Sequence, residues 1–479
     1  MDPFRYVQRP KIKNLLSRFN EICPECGHER RISYIDSYLS GNTVCKECKS
    51  RLKLLSIPLP FAMKHVAGYF GMSIDEFKNA ANQNIVLKKA MLSFLEGIGR
   101  YGVRTPQPLG SPFFVIVSVT QKCNLNCSFC YNNEYHNNGN SIEMKNEKVK
   151  IVIDNLSKAG CLGIGFNGGE PTLRDDLCNL ISYACSKDLI PLIATNAVLI
   201  DRNYAKDLKD AGLCYAQVSI DGKPKTHDFL RGKKGTYDYT LKGLRNLVNA
   251  GIYVSVAMVA NKKNYTEIED VLDIAKKYKA SKFEILDYQC IGKANDGIDL
   301  NPIERLNIAE KLCHLWKEVI KNKEKISLLY KNPNFYISMK KTFSDIGTAN
   351  LFGAAFPQEA MKLFKYSKRM TDGIFSVQDP FSPIATSCEA GFFGLYIDTD
   401  GTITPCPYMP LKIGNIFKDN FHNIWTHSSI LNLIRDRSNL KGTCKNCENI
   451  IYCGGCRART FNMTGDILSS DPLCVKVSE

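Results

Sequence analysis

Short apolar runs alternate with amphipathic segments between Phe113 and about Leu286, and this alternation restricts the fold more than any other feature of the sequence. The apolar runs predict six strands, at Phe113–Val119, Gly163–Phe166, Ile190–Ala194, Tyr215–Ile220, Tyr253–Val259 and Lys282–Leu286. The segments between them predict helices, at Glu147–Lys158, Asp175–Lys187, Tyr204–Ala211, Tyr239–Ala250 and Glu267–Tyr278. Regular strand–helix alternation is typical of parallel βα units. The sequence therefore predicts an α/β fold whose functional loops follow the carboxyl ends of the strands.

Three cysteines follow the first predicted strand at the spacing C-x3-C-x2-C: Cys123, Cys127 and Cys130. An iron–sulfur cluster that only transfers electrons normally has four cysteine ligands, so three would leave one iron of a four-iron cluster open to a small molecule. The alternative is a buried helix that carries the three thiols on one face. Polar residues between the cysteines argue against it, because asparagine and serine favour turns and caps.

This motif, with Phe129 just before its third cysteine, resembles that of the radical S-adenosylmethionine (radical SAM) enzymes. In that family the open iron of a [4Fe-4S] cluster binds the amino and carboxylate groups of S-adenosyl-L-methionine (SAM). Reduction then gives methionine and a 5′-deoxyadenosyl radical, which abstracts a substrate hydrogen. The resemblance implies a partial (β/α)6 TIM-like barrel over residues 113–300 and an electron donor such as ferredoxin or flavodoxin.

Further motifs follow the later strands. Asn167 is followed by Gly168, Gly169, Glu170 and Pro171, which resemble the family's GGEP motif for the amino group of SAM. Alone, this sequence is equally consistent with a plain turn. The resemblance also implies cofactor contacts from Thr195, Asn196, Ser219 and Asp221, and a carboxylate contact from Arg231, whose paired donors suit that group. The alternatives are that Asp221 caps a turn and that Arg231 is a surface cation. His227 is expected to be structural rather than a proton carrier.

Seven more cysteines lie between 388 and 474, and their C-x2-C pairs indicate metal binding, with zinc as the simplest alternative. The arrangement resembles the SPASM extension of radical SAM enzymes, which binds auxiliary [4Fe-4S] clusters. One such cluster would use Cys444, Cys447, Cys453 and Cys474. A second would take only three ligands, Cys388, Cys406 and Cys456. Ser382 stands near where other members have a further cysteine, so this cluster has an open iron, has a non-cysteine ligand or is absent.

Four cysteines near the N-terminus, Cys23, Cys26, Cys45 and Cys48, form two C-x2-C pairs. Tetrahedral sulfur coordination suits zinc or a single iron, and we expect structural zinc. Residues 30–43 between the pairs are expected to form the hairpin of a zinc ribbon.

The predicted organisation is a zinc-ribbon-like module at 1–55, a helical linker at 56–112, the barrel at 113–300, a helical bridging segment at 301–387 and a Cys-rich SPASM domain at 388–479. The amphipathic stretch Asn84–Gly97 is expected to dock on the barrel, with peripheral membrane contact as the alternative. No apolar run of the sequence reaches the roughly 20 residues that span a membrane. The first residues do not form a signal-peptide core, so we expect a cytoplasmic protein.

The predicted function is that of a radical SAM/SPASM oxidoreductase that modifies a peptide or protein. Decarboxylation of a tetrapyrrole side chain and modification of a membrane lipid are the alternatives. A zinc-dependent nucleic-acid-binding factor is the alternative of another class, suggested by the four-cysteine module and the net charge of +15. That charge fits an anionic substrate or scattered surface lysines, and without a dense basic tract we do not expect nucleic acid as the partner. The binding factor would contain zinc without sulfide, whereas the enzyme would contain acid-labile sulfide.

Overall fold

The computed structural model describes residues 18–40, 45–55, 73–102, 104, 106–132, 142–294, 296–342, 388–450 and 453–478. All six predicted strands are present within this part of the chain, each ending within two residues of the expected positions. The five predicted helices are present as well, at Asn146–Lys158, Leu177–Ser186, Arg202–Asp210, Thr236–Asn249 and Ile268–Lys277. A further helix, Pro224–Arg231, lies between the fourth strand and the fourth of these helices.

Ten strands form one sheet in the order β10-β9-β8-β1-β2-β3-β4-β5-β6-β7. Their bounds are β1 Phe114–Thr120, β2 Gly163–Gly168, β3 Ile190–Thr195, β4 Tyr215–Ser219, β5 Tyr253–Ala260, β6 Lys282–Asp287, β7 Ser327–Lys331, β8 Gly394–Ile397, β9 Thr402–Thr404 and β10 Gly414–Asn415. Strands β1 to β7 are consecutive parallel neighbours, as in the predicted partial barrel. All seven carboxyl ends therefore meet at one edge.

Burial on both faces of the sheet explains why strands such as β5 and β7 are nearly continuous apolar runs. Seven of the eight residues of β5 are buried, and every residue of β7 except Lys331 is buried. The helices bury matching stripes; Val149, Val152, Ile153 and Leu156 line the inner face of the first. These side chains belong to one continuous hydrophobic core.

The predicted helical segment 301–387 is described only over 301–342, where it has a strand that the sequence analysis did not predict. Helix Pro302–Lys321 leads into β7, and helix Pro333–Thr342 follows. The short run Ser327–Lys331 becomes a strand because it pairs in parallel with β6 and is covered on both faces. Ser382 lies outside the described residues.

The C-terminal part of the chain continues the same sheet. Strand β8 pairs in parallel with β1, and β8 and β9 form an antiparallel strand–turn–strand between Cys388 and Cys406. Short helices follow, at Phe421–His427, Ser429–Arg435, Gly442–Lys445, Arg457–Thr464 and Val475–Ser478. Fully buried Trp425 donates its indole N–H to the Leu109 carbonyl at 2.9 Å, which ties this region to the segment before β1.

The predicted hairpin at 30–43 is wrong. Residues Arg30–Ser40 form a helix, and residues 41–44 lie outside the described part of the chain. Ile35 and Leu39 are buried and stand four residues apart, so a helix places both on one face. Further helices occupy Lys46–Leu55, Ile74–Gln83 and Ile85–Tyr101. Among the described helices, none has the length and apolarity that crossing a bilayer requires.

Candidate active site and metal centres

The three-cysteine loop lies directly after β1, at the edge where the parallel strands end. Its backbone is held by the end of helix Pro224–Arg231: the Ser128 N–H donates to the Leu230 carbonyl at 2.9 Å, and the Asn126 N–H donates to the Arg231 carbonyl at 3.2 Å. The turn after β6 closes on it from another side, where the Lys293 N–H donates to the Cys130 carbonyl at 3.0 Å. The loop after β1 is therefore held by elements that follow two other strands, β4 and β6.

Cys123, Cys127 and Cys130 are all half-buried and form no disulfide. Burial raises the pKa of Cys123 to about 12 and also raises that of Cys130. Such thiols stay protonated at neutral pH unless a metal displaces the proton. In the same segment the buried Nδ2 groups of Asn124 and Asn132 have no hydrogen-bond partner among the described residues. Three thiols and two orphan donors fit a bound group that brings its own acceptors, as an iron–sulfur cluster does.

The glycines after β2 let two backbones approach each other closely. A Cβ on Gly168 would stand 2.1 Å from the Thr120 carbonyl oxygen, and a Cβ on Gly169 would stand 2.2 Å from that of Lys122. Gly168 also has φ of +145°, which side chains rarely adopt. The Glu170 N–H donates to the Lys122 carbonyl at 2.8 Å, so the GGEP segment lies directly against the start of the cysteine loop.

The Glu170 carboxylate is used within the protein rather than exposed to a ligand. It is 1% exposed and accepts hydrogen bonds from the Thr195 and Thr172 hydroxyls, both at 2.6 Å, and from the Asn196 N–H at 2.8 Å. Burial raises the pKa of Glu170, although these donors oppose the shift. The side chain thus ties the loop after β2 to the loop after β3, and the groups left for a cofactor are the backbone atoms around it.

Asn196 extends the same network to the cysteine loop. Its Nδ2 donates to the Asn124 Oδ1 at 2.7 Å, and its carbonyl accepts from the Thr240 hydroxyl at 2.9 Å. The next residue, Ala197, has φ of +58°, an uncommon conformation for a residue with a side chain. Such conformations cluster at functional sites, because the surrounding structure must enforce them.

Asp221 and Arg231 form a buried ion pair behind the cysteine loop. Asp221 has no exposed surface; it contacts the Arg231 guanidinium and accepts from the Val259 N–H at 2.8 Å. The Arg231 Nη1 lies 3.7 Å from the Cys127 sulfur, and its guanidinium stands 5.4 Å from the Phe129 ring centroid. Asp221 therefore positions Arg231 rather than facing the site, which neither motif nor spacing indicated.

Ser219 and His227 differ in their surroundings. Ser219 ends β4 and is half-buried at the carboxyl edge. His227 is buried; burial lowers its pKa to about 4, and its Nδ1 accepts from the Asp221 N–H at 3.2 Å. A neutral, buried acceptor of this kind is structural, as the sequence analysis favoured.

The C-terminal cysteines form two groups. Cys444, Cys447, Cys453 and Cys474 line one cavity together with Gly454, Gly455 and Asp471. Cys406 lies close enough to Cys388 and Cys456 for their charges to raise its pKa, beyond the larger effect of burial. The four thiols grouped by resemblance are thus brought together, and so are the other three.

A pair of tyrosines, which the sequence analysis missed, connects the two kinds of centre. Tyr131 follows Cys130, Tyr408 lies two residues after Cys406, and their rings meet edge to face with centroids 5.1 Å apart. The Tyr131 hydroxyl accepts from the Asn167 Nδ2 at 2.9 Å. Burial raises the pKa of both phenols, so both are neutral at physiological pH. Only the adjacency of each tyrosine to a cysteine motif could have drawn attention to them.

A buried ion network, also missed, joins β6 to the C-terminal domain. Asp287, at the end of β6, accepts from Arg305 Nε at 3.0 Å and contacts Arg459 Nη1. Arg459 also donates two bonds of 2.7 Å to Asp471, which in turn accepts from the Cys456 N–H at 2.8 Å. Carboxylates and guanidinium groups far apart in sequence thereby fix the position of Cys456.

Cys23, Cys26, Cys45 and Cys48 also converge. All four sulfurs lie within 4.8 Å of one another, and among the described residues no other group of three or more histidine, cysteine or acidic side chains is that compact. This site lies on the N-terminal helices rather than at the carboxyl edge of the sheet.

Comparison with known families agrees with this geometry. Residues 117–275 match the model of the radical SAM superfamily, and residues 388–448 match that of SPASM, an iron–sulfur cluster-binding domain. The chain belongs to the radical SAM superfamily. It is an enzyme of the radical SAM/SPASM group, whose two domains bind four-iron clusters and SAM.

Individual relatives differ in their reactions. The AdoMet-dependent heme synthase of Methanosarcina barkeri is 27% identical over 367 residues, which cover 76% of this chain and 97% of that protein. The PqqA peptide cyclase of Bradyrhizobium diazoefficiens is 27% identical over 380 residues, covering 77% and 88%. Among solved structures, Streptococcus suis SuiB bound to precursor peptide SuiA has a TM-score of 0.59 at 17% identity, covering 81% of this chain and 80% of that chain. At so low an identity, this likeness shows a shared fold.

Proposed function

We propose that the protein is a radical SAM oxidoreductase that abstracts hydrogen from a peptide or protein substrate. The observation that carries the proposal is the direct contact between two loops at one edge of the sheet. The three-cysteine loop after β1 and the Gly168-Gly169 segment after β2 are joined by the bond from the Glu170 N–H to the Lys122 carbonyl. One ligand that binds both iron and a backbone cradle would fit there.

In this proposal Cys123, Cys127 and Cys130 hold the [4Fe-4S] cluster. The backbone of Gly168, Gly169 and Pro171 would face the amino group of SAM, and Thr195, Asn196 and Ser219 would line the rest of the cofactor site. Two residues implied by resemblance differ: the Glu170 carboxylate ties two loops together, and the buried Asp221 carboxylate holds Arg231 in place. Arg231 in turn supplies a positive charge beside Cys127 and packs on Phe129.

When bound, the cluster supplies one electron that cleaves SAM into methionine and a 5′-deoxyadenosyl radical. The protein positions the cofactor through rigid elements, because Glu170 and Asn196 tie three loops together. An electron donor such as ferredoxin or flavodoxin would deliver that electron. Oxidation of the substrate also requires a second electron acceptor, for which an auxiliary cluster is suited.

The auxiliary centres would use the two C-terminal cysteine groups. The cavity lined by Cys444, Cys447, Cys453 and Cys474 offers four ligands, which suits a cluster for electron transfer. The group Cys388, Cys406 and Cys456 offers three, so a cluster there would need a fourth ligand from elsewhere. Burial raises the pKa of thiols in both groups, including Cys406 and Cys453. Such thiols would lose their protons when they bind a metal.

Relatives support a peptide substrate and also a second candidate. PqqA peptide cyclase and SuiB, solved with its precursor peptide, favour a peptide. The heme synthase of similar identity, matched over nearly its whole length, favours a tetrapyrrole with propionate side chains. The net charge of +15 is compatible with either anionic substrate.

The radical SAM assignment is tested by measuring 5′-deoxyadenosine in anaerobically reconstituted protein given SAM and a chemical reductant. The wild type is expected to form it, and Cys127→Ala is expected to reduce the rate to that of the buffer. Cys178→Ala is the matched control, since Cys178 is half-buried outside all the cysteine groups. Cleavage by Cys127→Ala at the wild-type rate would overturn the assignment.

The substrate class is tested separately with two probes. An iron-bound tetrapyrrole with propionate side chains and a peptide library from the genomic neighbourhood of the coding sequence are each incubated with the reduced enzyme and SAM. A product lighter by hydrogen or carrying a new cross-link, found only with peptide, supports the proposal. Loss of carbon dioxide from the tetrapyrrole would replace it with the second candidate.

A further inference from the structure

The N-terminal four-cysteine group has the dimensions of a site for one ion. The Cys23 and Cys45 sulfurs are 3.6 Å apart, and those of Cys26 and Cys48 are 4.0 Å apart. Zinc binds thiolate at about 2.3 Å, and tetrahedral geometry then places the sulfurs about 3.8 Å from one another. Both measured distances lie close to this value. In a four-iron cluster each thiolate binds a different iron, so the sulfurs would lie further apart.

Backbone hydrogen bonds and a glycine shape the turn that carries the first cysteine pair. The first pair lies on a tight turn, in which the Gly27 N–H donates to the Cys23 carbonyl at 2.9 Å and the Cys23 N–H donates to the His28 carbonyl at 2.8 Å. Gly27 has φ of +70°, which glycine adopts without strain. Cys45 immediately precedes helix Lys46–Leu55, which carries Cys48.

Glu25 links the two cysteine pairs directly. Its carboxylate accepts from the Lys46 N–H at 3.2 Å and from the Glu47 N–H at 2.9 Å, and so caps the start of that helix. The turn with Cys23 and Cys26 is therefore docked on the helix with Cys48. This orientation brings the four sulfurs together.

The four-cysteine module packs on helix Ile85–Tyr101 through helix Arg30–Ser40. Asp36 pairs with Lys88, and the Asn20 Nδ2 donates to the Glu96 carbonyl at 3.3 Å. Buried Ile35 and Leu39 lie on the same helix as Asp36. Helix Ile85–Tyr101 is thus the platform for the module.

The same helix is fixed at the amino ends of the strands. Its Lys89 Nζ donates to the carbonyl of Asp188, which precedes β3, at 3.0 Å, and its Ser93 hydroxyl donates to the carbonyl of Ser111, which precedes β1, at 2.9 Å. The Ser111 hydroxyl donates in turn to the carbonyl of Gly160, which precedes β2. In a parallel sheet these amino ends lie at the edge opposite the carboxyl ends, where the candidate active site lies.

Helix Ile85–Tyr101 also contacts the C-terminal domain. Its Glu96 carboxylate lies 3.1 Å from the His422 Nε2, and its Tyr101 hydroxyl accepts from the Arg435 Nη1 at 2.8 Å. One helix therefore joins the metal module, the amino edge of the barrel and the SPASM domain.

We propose that Cys23, Cys26, Cys45 and Cys48 bind a single Zn²⁺, and that the resulting module braces helix Ile85–Tyr101 against both other domains. The ion has a structural role at the edge opposite the active site and takes no part in electron transfer. So short a segment buries too little surface to be stable without a bound metal ion. This inference does not depend on the reaction or the substrate.

The experiment compares Cys26→Ser with Cys178→Ser in anaerobically reconstituted full-length protein, with zinc, iron and sulfide measured for each. We expect about one zinc per chain in the wild type and the control, with X-ray absorption giving sulfur ligands at about 2.3 Å. Cys26→Ser is expected to lose the zinc and keep its iron and sulfide. Loss of iron and sulfide with zinc retained would overturn the proposal.

Hydrogen exchange tests the brace. When zinc is lost, amides of helix Ile85–Tyr101 are expected to exchange about tenfold faster or more, because local opening then costs less free energy. Amides of β4 and β5 are expected to keep their wild-type rates. If Cys26→Ser does not fold, the same comparison is made on wild-type protein before and after zinc chelation. Unchanged exchange in the helix after zinc loss would refute the bracing role.

Discussion

Arg459 offers the sharpest test of how the C-terminal cysteines are positioned. Its side chain is 4% exposed and donates two 2.7 Å bonds to Asp471 as well as contacting Asp287. Asp471 has no exposed surface, and without Arg459 its donors among the described residues would be two backbone groups, the Cys456 N–H at 2.8 Å and the Leu473 N–H at 3.2 Å. Arg459→Met removes the cation while filling most of the volume.

We expect Arg459→Met to lower the free energy of unfolding by about 3–5 kcal/mol, because removing one member of a buried ion pair leaves a buried charge uncompensated. With a urea slope of about 2 kcal/mol per molar, the unfolding midpoint falls by about 1.5–2.5 M. Lys441→Met is the matched control, since Lys441 is 61% exposed in its pair with Asp466. Such a surface pair contributes about 0–1 kcal/mol.

The assay follows the fluorescence of Trp425 during urea unfolding, in a Trp316→Phe background that removes the other of the two tryptophans. Trp425 lies in the C-terminal domain and is fully buried, so its signal reports that domain. Equal midpoints for Arg459→Met and Lys441→Met would refute the view that this network positions the domain.

Lowering the pH should reduce the difference in unfolding free energy between the wild type and Arg459→Met. Burial raises the pKa of Asp471, but the charge and hydrogen bonds of Arg459 outweigh this and hold the pKa below its ordinary value. A lowered pKa contributes stability above the unfolded pKa of about 3.9, which is lost as pH falls through the folded pKa. In Arg459→Met the buried Asp471 carboxylate has lost its cation, so protonation removes an unfavourable charge and stabilises the variant. The difference in unfolding free energy should therefore shrink between pH 7 and about pH 4.5.

Three further changes probe the candidate site. Gly169→Ala should lower both iron content and 5′-deoxyadenosine formation, because the new Cβ would stand 2.2 Å from a backbone oxygen of Lys122; normal iron content would contradict this. Glu170→Gln should lower the free energy of unfolding by about 1–3 kcal/mol and weaken SAM binding measured by calorimetry. The new glutamine NH2 group is a donor and cannot accept the hydrogen bonds that Thr195 and Asn196 donate to the carboxylate. Cys444→Ser should lower the iron content by that of one auxiliary cluster, yet the variant should still cleave SAM in the absence of substrate. An unchanged iron content would mean that Cys444 is not a ligand of that cluster.

The strand–helix alternation was sufficient to predict the sheet because most side chains of β1 to β6 are buried, which makes these segments rich in apolar residues. Apolar runs such as Tyr253–Ala260 have no other stable location. The cysteine loop and the GGEP segment could be placed at one edge for the same reason, since parallel strands end together. Strand β7 was missed because five residues between two helices carry too little pattern, and pairing with β6 decides their structure.

The wrong hairpin at 30–43 has a different origin. Two C-x2-C pairs are compatible with several structures between them, so they did not by themselves indicate a hairpin. The four-residue spacing of Ile35 and Leu39 indicated a helix, which is the structure observed.

Long-range partners could not be predicted at all. The contacts of Arg231 with Asp221, of Arg459 with Asp287 and of Tyr131 with Tyr408 depend on how distant segments meet.

We propose that the cluster on Cys123, Cys127 and Cys130 has an iron to which SAM binds. Mössbauer and EPR spectra of the anaerobically reduced protein, recorded with and without SAM, test it most directly. We predict that SAM changes the signal of one iron site, and that Cys127→Ala removes the responsive signal while auxiliary-cluster signals persist. Spectra unaltered by saturating SAM in protein with its full iron content would contradict the account.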